Sequence, residues 1–163
     1  MLDYTDYDTR LAGYALVRDQ AGRILLSRWV GPEGPLWTVP GGGIEYGESI
    51  EDGTVREVLE ESGYRVELVG LLAVRTIDIP ASERLHPSQR PMRAVQVFHE
   101  ARLLGGELRF EVDGSSDMAA WFDLAEVAGL ERVPGVDWML HTAGLLDAPQ
   151  IDPPVVDAPQ AGL

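Results

Sequence analysis

The chain has 163 residues, 45% apolar and 25% charged, a length and composition suited to one globular domain with a sizeable core. Its formal net charge of −14 opposes a nucleic-acid backbone, so no duplex-binding role is expected; the acidity reads as a solubilising surface with part of it gathered at a metal site. The absence of cysteine removes disulfide and thiolate chemistry, and no apolar run is long enough to span a membrane. The N-terminal "MLDYTDYDTRLAGYALVRD" carries acidic residues where a signal peptide would be basic, so a soluble cytoplasmic protein is the expectation.

Residues 13–18 and 23–29 read as two strands joined by a turn around Asp19 to Gly22. "GPEGP" at 31–35 reads as a loop, and "LWTV" as a short strand running into "PGGG", where Pro40 and the glycines predict irregular backbone. Residues 48–62 predict a helix stopped by Gly63. "YRVELVGLLAVRTIDI" is apolar and β-branched enough for one bent strand or two consecutive ones, ended by Pro80, and residues 80–92 read as a mobile loop. "RAVQVFHEARLL" and "GELRFEV" predict strands with Gly105 and Gly106 as their turn. "AAWFDLAEVAGL" predicts a short strand and a short helix, and "PGVDWMLHTAGLL" a last helix with Pro134 near its start. Residues 1–148 thus form a single domain of α/β (α+β) class, an α/β/α sandwich on a mixed sheet, and 149–163 a proline-rich, acidic, disordered tail.

The central helix poses a question. At about 100° per residue, Glu57, Glu60 and Glu61 share an arc of roughly 100°. Like charges at these spacings cost a few tenths of a kcal/mol each, about what a favourable pair would gain. A divalent cation would offset that cost. Oxygen ligands without cysteine or a histidine pair suit Mg²⁺ or Mn²⁺, and the three glycines ahead of the helix let backbone approach a ligand closely. These residues point to metal-assisted chemistry on a small phosphorylated molecule.

Gly42, Glu48, Arg56-Glu57, Val58, Glu60-Glu61, Gly63 and Tyr64 match every fixed position of a Nudix box, and "LWTVPGG" and "AWFDLAEV" resemble Nudix framework segments. The resemblance implies a Nudix hydrolase, an α/β/α sandwich that hydrolyses a nucleoside diphosphate linked to another group. It implies that Glu57, Glu60, Glu61 and the Gly41 carbonyl hold Mg²⁺ (or Mn²⁺), and that Arg56 orients a carboxylate. Glu48 either reaches a metal through water or is a helix-start residue favoured by the dipole. Glu60 is the first choice for general base and Asp117, in the later loop, the second. Met118 stands where many relatives carry the other half of an acidic pair. Nucleoside triphosphate is the first substrate, and ADP-ribose or a nucleotide sugar the alternative. Pro80 also stands sixteen residues after the box, as in ADP-ribose hydrolases, although a proline ending a strand is the simpler reading. A non-catalytic nucleotide-sensing module is the alternative of another class, opposed by the intact glutamates. A homodimer is compatible with the chain. For substrate contacts the sequence offers Trp29 as a stacking surface and Arg75, Arg90 and Arg93 as phosphate or ribose ligands.

Overall fold

The computed structural model describes residues 2–86, 88–110 and 114–146; the expected tail at 149–163 lies outside these. Strands β1 (Asp8–Arg18), β2 (Ile24–Gly31), β3 (Gly34–Thr38), β4 (Gly41–Gly43), β5 (Tyr64–Ile79), β6 (Met92–Gly106) and β7 (Ser116–Phe122) form one mixed sheet. Its main path runs β3-β2-β1-β6-β5, with β4 paired to β1 and β7 to β2. β1 and β6 are parallel, in register from Asp8↔Met92 to Arg18↔Arg102, and the remaining pairings are antiparallel. Helices α1 (Ile50–Ser62), α2 (Leu124–Val127) and α3 (Pro134–Thr142) complete the fold.

Alternation along β1 sorts the two faces. Ala15 and Val17 pack with Val58 of α1, whereas Leu16 packs with Val136, Met139 and Leu140 of α3. Sheet and helices therefore make three layers, and each fully buried side chain such as Leu140 or Met139 contributes about 1.5–3 kcal/mol. α1 sits close to the sheet. A Cβ on Gly13 would stand 2.0 Å from Thr54 Oγ1, and that hydroxyl already donates to Ile50 O at 2.7 Å. Gly13→Ala is expected to cost roughly 1–3 kcal/mol, the usual range for overpacking. An unchanged urea midpoint would contradict this close approach.

Several sequence expectations need correction. Residues 31–35 are not an open loop: Gly31 pairs with Gly34, and Pro32 and Glu33 make a tight hairpin turn. Gly41 keeps the unusual backbone expected of it, with φ +143°, but Gly41–Gly43 also pair as β4 with the edge of β1 at Ala12–Tyr14. "GELRFEV" forms no strand over 107–110, and its remaining residues 111–112 are outside the described set. Gly105 and Gly106 are not its turn but the end of β6, since the long β5 pairs as far as Tyr64↔Gly106. The stretch from Tyr64 is one strand, with register shifts between Arg65/Val66, Leu68/Gly70 and Leu71/Ala73, and it ends before Pro80 as expected. In the following loop, Arg84 and Arg90 both pair with Asp8, and Arg90 also donates to Thr5 O and Tyr7 O. Arg90 thus straps the N-terminal segment to the loop. Among the described residues no helix is long and apolar enough to cross a membrane.

Candidate metal and catalytic site

α1 begins where Ser49 caps it, its hydroxyl accepting from Asp52 N at 3.0 Å. It ends at Gly63, whose left-handed φ of 75° suits glycine. Between these caps the acidic face points at β4, so the site is assembled from one helix and one three-residue strand.

Arg56 organises that face. Nε and Nη2 donate to Glu48 Oε2 and Oε1 at 3.2 and 2.7 Å; Nη1 donates to Glu57 Oε1 at 2.9 Å and to Glu60 Oε2 at 3.1 Å; Nη2 also donates to Gly43 O at 3.1 Å. One guanidinium therefore joins three carboxylates to the glycine strand. Much of the like-charge cost expected from the sequence is offset by Arg56 rather than by a cation. The bidentate partner is Glu48, whose Oε1 also accepts from Glu45 N at 2.6 Å. Hydrogen bonds from Arg56 hold the Glu48 carboxyl below its ordinary pKa, assisted by that backbone bond. Glu48 precedes the Ser49 cap and is not a helix-start residue; it braces the loop. A Cβ on Gly53 would stand 2.7 Å from Glu48 Oε1 and equally close to Ile44 Cδ1, so this glycine leaves room for the brace.

Glu61 has a different environment. It is 3% exposed, with Oε2 accepting from Gly41 N at 3.0 Å and Oε1 from Ser116 Oγ at 2.6 Å. Burial pushes its pKa up to about 7, against the pull of these two hydrogen bonds and the nearby Ser27 hydroxyl, while the charge of Glu57 adds to the rise. Among the described residues no arginine or histidine pairs with it. A buried carboxyl in this state either keeps its proton or gains from a cation.

Among the described residues no three acidic or histidine side chains already converge as a metal cage. The donor set nonetheless fits a hard cation. All its atoms are oxygens, Glu61 has no cationic neighbour among the described residues, and Glu57 Oε2 lies only 2.6 Å from where a Cβ on Gly42 would stand. Any residue larger than glycine at position 42 would push Glu57 away from the strand. Gly41 has φ +143°, which turns its N–H to Glu61 in a conformation that side chains disfavour.

Glu48, Arg56, Glu57, Glu60, Glu61 and Gly41 lie together where α1 meets β4. The other candidates do not. Trp29 is 5% exposed with its ring directly against Gly31, so it offers no open stacking surface. Arg93 is held by Asp78 at 2.6 and 2.8 Å and lies over the ring of Tyr7. Asp117 is the extra residue of a bulge in β7, between Ser116 paired with Trp29 and Met118 paired with Arg28, and it turns to Arg28. It pairs bidentately with Arg28 at 2.8 Å, which leaves it poorly placed as a base. Arg75 donates to Gln96 on the face beneath α3. Sequence reading missed Ser116, which donates to Glu61 Oε1, and Ser27, whose buried hydroxyl lies nearby without a hydrogen bond; the pairing of β2 with β7 brings both there.

Comparison with known proteins agrees with this architecture. A NUDIX hydrolase from Nitrosomonas europaea superposes with a TM-score of 0.69 at 20% identity, covering 84% of this chain and 89% of that one. An ADP-ribose pyrophosphatase from Streptococcus suis superposes with a TM-score of 0.56 at 26% identity, covering 82% and 87%. An RNA pyrophosphohydrolase of Dinoroseobacter shibae is 44% identical over 55 residues, 34% of each chain. The curated relatives are matched over only part of their length, from 21% to 46% in the cases at either end. The model of the NUDIX domain matches residues 8–141, most of the sequence, and this chain therefore belongs to the NUDIX domain family.

Proposed function

We propose that the chain hydrolyses the pyrophosphate link of a nucleoside diphosphate joined to another group, with a nucleoside triphosphate preferred and Mg²⁺ or Mn²⁺ as cofactor. The observation that carries this reading is Glu61, a buried carboxyl with no cationic partner among the described residues, beside Glu57 and Glu60 on the α1 face that meets the glycine strand. Glu57, Glu60, Glu61 and the Gly41 carbonyl would hold the ion, which when bound neutralises phosphate oxygens and acidifies water. Arg56 keeps Glu57 and Glu60 on one side of the helix. Glu60, with its side chain 48% exposed, is the carboxylate best placed to take a proton from an incoming water. Water adds to one phosphorus as the bond to the bridging oxygen breaks, giving a nucleoside monophosphate and pyrophosphate from a triphosphate.

The second reading is ADP-ribose or a nucleotide sugar, favoured by the likeness to the Streptococcus suis protein. A non-catalytic sensor is opposed by the complete carboxylate set. A panel of nucleoside triphosphates, ADP-ribose and nucleotide sugars, incubated with Mg²⁺ and resolved by chromatography, separates the three. Monophosphate and pyrophosphate from a triphosphate is the expected result. Turnover of ADP-ribose alone would move the assignment to the second reading, and binding without any turnover would favour the sensor.

A further inference from the structure

Two buried side-chain polar atoms find no hydrogen-bond partner among the described residues, Ser27 Oγ and His99 Nδ1. Ser27 is 0% exposed and stands in β2 two residues after Leu25, on the sheet face that α1 covers. Its cross-strand neighbours leave it unbonded. Ala119 of β7, on one side, has no polar side-chain atom. Thr38 of β3, on the other, turns its hydroxyl to Val39 O at 3.4 Å. An alanine would fill this place as well. A hydroxyl kept from water without a bond is unfavourable unless some state of the protein uses it.

The polar group beside that hydroxyl is the Glu61 carboxyl. Both of its oxygens are engaged, Oε2 by Gly41 N at 3.0 Å and Oε1 by Ser116 Oγ at 2.6 Å. Gly41 belongs to β4 and Ser116 to β7, so the carboxyl hangs between two strands with a third donor, on β2, unused beside it. Two carboxylate oxygens offer about four acceptor positions, enough for a third donor. A cation on Glu61 would claim lone pairs that now serve Gly41 N and Ser116 Oγ. A carboxylate that holds a metal is itself fixed by hydrogen bonds from behind, and those bonds set much of its affinity.

We propose that Ser27 is a positioning residue of the metal site, its hydroxyl donating to Glu61 once a cation takes one of that carboxylate's oxygens. Ser27 neither binds the ion nor touches substrate; it fixes a side chain that holds the ion. This role rests on the proposed metal-binding reading of Glu61 and gives a use to a buried hydroxyl that the metal-free fold leaves idle.

Calorimetric titration of Mn²⁺ into the full chain without nucleotide, paired with urea unfolding in chelator, tests it independently of turnover. Ser27→Ala is expected to weaken Mn²⁺ binding about tenfold or more, as loss of a bond behind a metal ligand does. Its urea midpoint in chelator should equal or exceed that of the wild type, because the metal-free fold loses no hydrogen bond. A serine that merely supported the fold would lower that midpoint and leave the affinity alone. Ser27→Cys fills the same space with a weak donor and should weaken Mn²⁺ binding too. Equal Mn²⁺ affinity in the wild type and Ser27→Ala overturns the proposal. So does a midpoint below the wild type's, or failure of Ser27→Ala to fold, since the hydroxyl would then serve the metal-free state. Wild-type affinity in Ser27→Cys also overturns it, by assigning the effect to volume. No saturable Mn²⁺ binding in the wild type would sink the metal reading along with this one. Absence of hydrolysis across the nucleotide panel would sink the enzymatic reading and leave this measurement intact.

Discussion

Glu60→Gln is expected to lower turnover of the confirmed substrate by roughly 10²- to 10⁴-fold, the span for losing a general base. The change keeps the side chain's size, and the amide oxygen can still accept from Arg56 Nη1, now 3.1 Å from Glu60 Oε2. Half-exposed ion pairs contribute little, so metal-free stability should move by no more than about 0.5 kcal/mol. A small gain is expected from relief of repulsion with Glu57 and Glu61. Glu51, in the first turn of α1 and outside the carboxylate face, is the control: Glu51→Gln should change neither quantity appreciably. Near-normal turnover in Glu60→Gln would remove the proton-accepting role and with it the catalytic reading of this face.

The second large effect belongs to Glu61. In the unfolded chain its carboxyl titrates near the ordinary value of 4.5, and in the fold near 7, so the folded state keeps the proton longer. The stability associated with that proton is fully present below about 4.5 and is lost as pH rises through about 7. Glu61→Gln removes the titration while leaving an oxygen for Gly41 N and an amide for Ser116 Oγ. The variant should therefore be more stable than the wild type at pH 8 in chelator, by at most about 3 kcal/mol, at 1.36 kcal/mol per pKa unit. At pH 4.5 or below the two should be nearly equal. Its turnover should nonetheless fall by orders of magnitude, because the carboxylate assigned to the metal is gone. Denaturant titrations at both pH values check the first half; a stability difference independent of pH would contradict the burial effect.

Helix α1 was legible because its information is local. Caps, carboxylate spacing and the glycines that precede it are read along one stretch of chain. Even there, the charge reasoning was incomplete: the sequence showed three carboxylates in need of compensation, and the structure supplies Arg56 for two of them, leaving Glu61 as the unpaired one. Gly105 and Gly106 misled because glycine pairs suggest a hairpin, whereas the length of β5 draws them into β6. β4 was hidden because three glycines acquire strand geometry only from the edge of β1. Arg75, Gln96, Ala12 and Gly43, far apart in the chain, meet in one row across four paired strands, and Trp29 turned inward because Gly31 leaves room for its ring. Such encounters follow from sheet register, which a single sequence specifies only weakly.

The central claim is that the Glu57, Glu60 and Glu61 face binds a divalent cation. Titration of Mn²⁺ into the protein, followed by the EPR signal of the free ion, tests it without a substrate. The account predicts saturable binding, displaced by Mg²⁺, weakened roughly tenfold or more in Glu57→Gln and unchanged in Asp117→Asn. Equal Mn²⁺ affinity in the wild type and Glu57→Gln, or no saturable binding at all, would contradict it.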